Sequence, residues 1–235
     1  MKVYLKQAPF KPKTYLWQRF VSLLPTVMIV VGASLLISVG YPIINYELTV
    51  GIKSRQKGIL SPVPREALSA PVQAESNYTK LSSWFSFSRP QEFLSPTAIT
   101  HYTISIHKLR IKEAVVTIGG DELGKSLIHY GGTANPGQPG NTVIFGHSIL
   151  PQFYNPSSYK SIFSLIPTLK PGDQISVNFD GITYKYVVYE YIEALPSEID
   201  ILEQNYSRKD LSLVTCVPPG TYLRRGIVHA RLVEI

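Results

Sequence analysis

Leu211-Ser212-Leu213-Val214-Thr215-Cys216-Val217 is an apolar, β-rich run that carries the only cysteine of the 235-residue chain. It reads as a buried strand. A Pro218-Pro219-Gly220 break follows, and a second run opens on a pair of arginines, Arg224-Arg225-Gly226-Ile227-Val228. Two readings of Cys216 stand side by side. Free cysteine is often a small apolar filler in a core strand. A thiol at a strand end beside fixed positive charge is also how a reactive cysteine is made, because the cation favours thiolate over thiol.

Upstream, short segments of the same texture recur. Tyr102 to Ile106 alternates, Glu113 to Ile118 is β-rich and stops at Gly119-Gly120, and Asn141 to Gly146 follows the turn-rich patch Asn135 to Gly140. Gln174 to Phe179 alternates again, and Asp180-Gly181 joins it to Ile182 through Tyr191, a strong two-residue hairpin signal. Helical spacing is confined to Tyr159–Leu169, with Ile162, Phe163, Ile166 and Leu169 on one face before Lys170-Pro171-Gly172-Asp173, and to a turn or two at Glu198–Gln204. Many short strands with few helices indicate a mainly β fold, a closed or nearly closed barrel of about eight strands. Residues 99–235 suffice for one domain with an adequate core.

The N-terminal part has a different composition. No charged side chain occurs from Phe20 to Tyr46, and a helix of about 20 residues spans a bilayer core. We assign 1–19 to a basic cytoplasmic tail, 20–44 to a transmembrane signal-anchor helix and 45–98 to a Pro/Ser-rich extracytoplasmic linker. Lys2, Lys6, Lys11, Lys13 and Arg19 precede the apolar run without an acid among them, which orients the N-terminus inward. The length of the run favours an uncleaved anchor over a cleaved signal peptide. Within the linker, Trp84-Phe85-Ser86-Phe87 is an aromatic exception, expected to dock on the folded domain rather than at the lipid interface. The formal net charge of +7 includes five charges from the tail, which leaves +2 for the rest. The basic character therefore reports topology and not a nucleic-acid surface.

Compartment bears on the thiol. Outside the membrane disulfides are permitted, yet a single cysteine forms no bridge within its own chain. Its retention there points to use. His147 stands at the end of Val143-Ile144-Phe145-Gly146, and His147, Cys216 and the Arg224/Arg225 pair together make a Cys-His nucleophile system the better account.

Asn141-Thr142-Val143-Ile144-Phe145-Gly146-His147, Leu213-Val214-Thr215-Cys216 and Arg225-Gly226-Ile227-Val228 resemble the sortases, the cysteine transpeptidases of bacterial surfaces. The Pro139-Gly140-Asn141 lead-in, the Phe163-to-Leu169 helix and the Lys170-Pro171-Gly172-Asp173 turn resemble that family as well, over roughly Ile99 to Ile235. The resemblance implies a sortase-type barrel over 99–235, with Cys216 as nucleophile, His147 as acid/base partner and Arg225 steadying substrate and oxyanion. Thr215 and Arg224 are carried as substrate-binding. It implies as partners secreted proteins bearing a C-terminal sorting motif, an amine of the cell envelope or a pilin, and the membrane, with no nucleic acid. Ser212 stands where threonine usually opens the cysteine motif, and Ser148 where arginine is frequent. The absence of an Asp-Pro-aromatic motif, and of an apolar stretch after the last strand, counts against a pilin-polymerising enzyme.

No cofactor is expected. Asp121, Glu122, Glu193, Glu198 and Asp200 are the acids from which calcium ligands would come, but they lack a loop signature and read as a solvated face. His129, in Leu127-Ile128-His129-Tyr130, reads as structural. The alternatives are a cysteine peptidase of another type and a non-catalytic tethered β-domain. Against the first, His147 precedes Cys216 by 69 residues, the reverse of the papain-like order, and the Ser-His-Gly-Cys motif of the L,D-transpeptidases is missing.

Overall fold

The computed structural model describes residues 14–46, 48, 79–84, 99–198 and 200–234. Among them, eight strands follow one another as β1 (His101–Ile106), β2 (Ile111–Ile118), β3 (Leu127–His129), β4 (Gly140–Phe145), β5 (Gln174–Phe179), β6 (Ile182–Ala194), β7 (Lys209–Val217) and β8 (Arg224–Glu234). They close into a barrel in the order β1-β2-β3-β4-β7-β8-β6-β5. β2 with β3 and β4 with β7 are parallel pairs, and the other pairs are antiparallel. Closure removes the unpaired sheet edges that an open array of short strands would expose.

The local chemistry explains the register. Asp180 and Gly181 both take positive φ, 53° and 73°, which is the backbone a two-residue hairpin needs. β5 and β6 therefore pair without offset from Phe179 and Ile182 to Gln174 and Val187. β1 and β5 alternate buried and exposed positions, as strands with one wet face do, whereas every residue of β4 is buried. β7 is buried from Leu211 to Val217. Two apolar layers account for this. Ile144, Leu211, Leu213, Val228 and Ala230 point into the barrel with Ile104, Ile106, Val177 and Phe163. Val143, Phe145, Val214, Cys216 and Ile227 point to the other face, where Leu81, Trp84, Leu123 and Ile201 cover them.

The expected helix at Tyr159–Leu169 does not form. That segment is a series of tight turns ending in a 3-10 turn at Ile166–Thr168. Pro167 cannot donate to the carbonyl four residues back. The amide of Phe163 donates instead to the His147 carbonyl at 3.0 Å, and Ser161 Oγ donates to the Asn155 carbonyl at 3.0 Å. The apolar positions found by spacing are nonetheless core, since Ile162, Phe163, Ile166 and Leu169 are all buried. The turn expected at Glu198–Gln204 is present as a 3-10 turn at Asp200–Leu202.

His129 is structural. It is buried, and its Nε2 lies 2.9 Å from Thr133 Oγ1, which itself donates to the Tyr130 carbonyl. The Nε2–H must then be the donor, leaving Nδ1 to accept from Tyr102 Oη at 3.2 Å. Burial lowers its pKa to about 4, so the ring is neutral at physiological pH.

The described residues divide at Asn45/Tyr46 into two units. Helix α1 (Thr14–Tyr46) contains Leu24–Tyr46, 23 residues with a mean hydropathy of 2.3. At 1.5 Å per residue this stretch is about 35 Å long, enough to cross a bilayer core. Leu24, Met28, Ile29, Leu35, Leu36 and Ile37 expose their side chains.

Candidate active site

The site is assembled by strand register. β4 and β7 run parallel with Phe145 beside Val214. Two residues farther along each chain, that register brings His147 level with Cys216. β7 and β8 run antiparallel with Cys216 directly opposite Arg225. Side chains alternate along a strand. Val143, Phe145 and His147 therefore share a face with Val214 and Cys216, and with Ile227 and Arg225. Three residues separated by 69 and 9 positions thus come to one rim and one face.

Several hydrogen bonds fix the rim. Thr215 Oγ1 donates to the Gly146 carbonyl at 2.8 Å, and Ser148 Oγ donates to the Cys216 carbonyl at 2.6 Å. These two staples flank His147 on one strand and tie it to the two residues that end with the thiol on the other. The Phe163 amide on the His147 carbonyl is a third tie. Gly146 is required by space. A Cβ there would lie 2.5 Å from the Phe163 ring and 2.6 Å from Leu127 Cδ2. Gly226, after Arg225, is comparably confined, with Val217 Cγ1 at 2.7 Å from such a Cβ and Tyr191 Oη at 2.9 Å.

The arginine faces the sulfur. Arg225 Nη1 lies 3.4 Å from Cys216 Sγ, and Arg225 is 2% exposed. Cys216, also 2% exposed, has its pKa pushed up to about 11 by burial, with Arg225 pulling in the opposite sense. His147 is half-buried, and desolvation lowers its pKa. Both shifts favour the neutral forms, so this arrangement holds thiol and imidazole rather than thiolate and imidazolium.

The cover over the sulfur comes from the linker. Residues 79–84 lie on the barrel as a strap: the Leu81 amide donates to the Asp121 carbonyl at 2.9 Å and the Leu123 amide to the Thr79 carbonyl at 3.1 Å. Asp121 accepts from the Ser82 amide at 2.7 Å and from Ser82 Oγ at 3.1 Å. Trp84, 1% exposed, meets the Phe145 ring edge-on at 5.9 Å and the His147 ring at 5.9 Å. Arg225 stacks over the indole, its Cζ 4.8 Å from the ring centroid, and Nη2 donates to the Trp84 carbonyl at 2.9 Å. The expected docking of Trp84 on the folded domain is thus observed, and its berth is the site itself. Phe85 to Phe87 lie outside the described residues.

The other candidate residues sit differently. Thr215 is fully buried with its hydroxyl committed to Gly146. Arg224 alternates to the opposite face and pairs with the buried Glu193 carboxylate at 3.1 Å. Asp121 holds Ser82, Glu122 pairs with Lys125, and Glu198 accepts from the Leu195 amide. Among the described residues no three His, Cys, Asp or Glu side chains gather as a metal site would need. An open cavity of about 410 Å³ lined by Pro139, Tyr206, Arg208, Lys209 and Arg231 lies at the Lys209 end of β7. At about 3.3 Å per residue it is roughly 23 Å from Cys216 and separate from this rim. Two contributors escaped the sequence reading. Ser148 was visible only as a departure from a pattern, and the destination of Trp84 was signalled only by an indole stranded in polar linker.

The model of the sortase domain matches residues 104–233. The chain belongs to the sortase family. Over 115 residues it is 28% identical to Sortase A of Streptococcus agalactiae serotype III, a match covering 47% of this chain and 45% of that relative, so it spans less than half of the relative's length. Sortase C-1 from Actinomyces oris superimposes with a TM-score of 0.51 at 26% identity, over 59% of this sortase and 76% of that chain. Sortase A from Corynebacterium diphtheriae gives 0.51 at 27% identity, over 58% and 62% respectively.

Proposed function

We propose that this sortase is a membrane-anchored cysteine transpeptidase. It cleaves the C-terminal sorting signal of a secreted protein, holds the acyl group as a thioester on Cys216, and passes it to an amine of the cell envelope or a pilin. The observation that carries the reading is the alignment of His147, Cys216 and Arg225 on one face of β4, β7 and β8, with the guanidinium 3.4 Å from the sulfur.

Each residue has one task. Cys216 Sγ attacks the scissile carbonyl carbon as its proton passes to the neutral His147 imidazole, and the carbonyl electron pair moves onto oxygen. The Arg225 guanidinium, always charged and rich in donors, stabilises that oxyanion. His147 gives its proton to the departing amine as the tetrahedral adduct collapses to the thioester. The incoming amine then attacks the thioester and gives a proton to His147; the C–S bond breaks as the sulfur takes that proton back, which leaves the amide, the thiol and a neutral imidazole. Thr215 steadies the rim through the Gly146 carbonyl, and Arg224, on the opposite face and paired with Glu193, takes no direct part in binding. The basic residues before α1 support an inward N-terminus, which leaves the barrel outside the membrane.

One observation favours a non-catalytic domain: the sulfur is buried. The material over it includes Leu81 and Trp84 of the strap, which are not part of the barrel wall. The two readings separate in a capture experiment. The full-length chain in detergent micelles is incubated with a library of C-terminal peptides from secreted proteins. An acyl adduct on the intact mass, lost in Cys216→Ala, supports the transpeptidase; an adduct that persists in Cys216→Ala refutes it.

A further inference from the structure

We propose that the basic cavity at the Lys209 end of β7 binds a linear phosphodiester polymer of the cell envelope. The cavity lies at the other end of the strand from Cys216, so a polymer held there leaves the catalytic rim free. The inference goes beyond the transpeptidase reading and does not depend on the chemistry at the thiol.

Charge points to the ligand's sign. The open cavity, about 410 Å³, is lined by Arg208, Lys209 and Arg231 together with Pro139, Tyr206 and Leu232, and among the described residues no acid lines it. Arg231 is fixed before any ligand arrives. Its Nε donates to Asp210 Oδ1 at 3.0 Å, and its Cζ stacks 4.8 Å from the centroid of the Tyr189 ring. A guanidinium held in this way loses little further freedom on binding. Among the described residues no carboxylate pairs with Arg208 or Lys209. Two cations therefore stand ready beside a third that is already placed.

The wall that carries them is rigid. Asn205 Oδ1 accepts from the Ser207 amide at 3.0 Å and from Ser207 Oγ at 2.6 Å, and the Arg208 amide donates to the Asn205 carbonyl at 3.1 Å. The Gly140 amide donates to the Arg208 carbonyl at 2.7 Å, which ties this turn to β4. Tyr206, 71% exposed, presents its ring beside the cations. Guanidinium groups match phosphate oxygens in geometry as well as charge. Tyr206 and Pro139 offer flat surface to the hydrated glycerol or sugar units between phosphates rather than to an acyl chain. Exposed charges bind a single phosphate weakly. Repeated phosphates along one chain raise the effective concentration at the site, which favours a polymer over a free ion.

Lys209 makes the test site-resolved. The full-length protein in non-ionic detergent micelles is acetylated with and without poly(glycerol phosphate), and the rate at each lysine is read by peptide mass. The polymer should slow acetylation of Lys209 by about fivefold or more, and leave that of the exposed Lys112 and Lys160 within about 1.5-fold. Arg208→Gln and Tyr206→Ala should each cut the protection of Lys209 to below about twofold at unchanged melting temperature. Inorganic phosphate at equal phosphate concentration should protect it less than about twofold. Protection of Lys209 no greater than that of Lys112 and Lys160 overturns the proposal, as does protection that survives in both variants. Equal protection by inorganic phosphate, or by micelles doped with phosphatidylglycerol in place of the polymer, overturns the polymer as ligand. The Cys216→Ala protein should show the same protection as wild type, which separates this outcome from any failure of the transpeptidase reading.

Discussion

Replacing Arg225 with glutamine removes the fixed charge at the sulfur while keeping a polar side chain of related length. The guanidinium stands 3.4 Å from Sγ in a site that is 2% exposed. With an effective dielectric constant of about 20, unit charges at that distance interact by about 5 kcal/mol, an upper limit before desolvation is subtracted. Loss of one preorganised oxyanion donor costs about 3 to 4 kcal/mol in well-studied enzymes. We therefore expect Arg225→Gln to lower the single-turnover rate of acyl-enzyme formation by about 10²- to 10³-fold. Burial has already pushed the Cys216 pKa to about 11 against the pull of Arg225. Its removal shifts the alkylation pH profile further to alkaline pH. The substitution also cuts the bond to the Trp84 carbonyl, so the strap loosens and the thiol becomes more accessible. Asp121→Ala removes the carboxylate that holds Ser82, so comparing Arg225→Gln with its parent in that background cancels the opposing effect. Acylation within threefold of the parent, with an unmoved alkylation profile, would refute the role of the guanidinium.

Other outcomes follow from the same geometry. Ser148→Ala deletes the hydroxyl that holds the Cys216 carbonyl; it should cost about 1 kcal/mol of stability by denaturant titration and slow acylation about tenfold, with Ser148→Thr recovering most of both. Gly146→Ala drives a methyl into Phe163 and Leu127, lowering stability by about 1 to 3 kcal/mol in thermal unfolding and displacing His147 enough to impair turnover. His129 titrates at about 4 in the folded protein and near 6.5 when unfolded. The unfolded chain therefore takes up the proton first as pH falls. Stability that is complete above pH 6.5 should decline by about 3 kcal/mol on going down to pH 4, and His129→Gln should flatten that slope.

Much of this was written locally. Asp180-Gly181 specified a hairpin that β5 and β6 adopt, and the alternation in Tyr102–Ile106 and Gln174–Phe179 matched their buried and exposed positions. Cys216, His147 and Arg225 were legible because each stands at the end of an apolar strand, and strand register converts such positions into neighbours. What was not legible depends on distant partners. β3 has only three residues and pairs in parallel with β2 and antiparallel with β4, so Leu127–His129 carries no periodic signal of its own. The helix expected at Tyr159–Leu169 failed because the Phe163 amide serves His147 and Pro167 interrupts the ladder. Helical spacing there reported burial and not helix. Trp84 looked like a linker residue because the rings and the guanidinium that its indole meets are 61 residues or more away in sequence.

The central claim is that Cys216 carries a peptide acyl group to an amine rather than to water. Acyl-enzyme formed on the full-length protein is freed of excess peptide and chased with increasing concentrations of a small primary amine, while the thioester is followed by intact mass and the released product by chromatography. A decay rate that climbs with amine concentration, yielding a peptide amide, is the expected result. Decay at one rate whatever the amine, with only free carboxylate released, would contradict it.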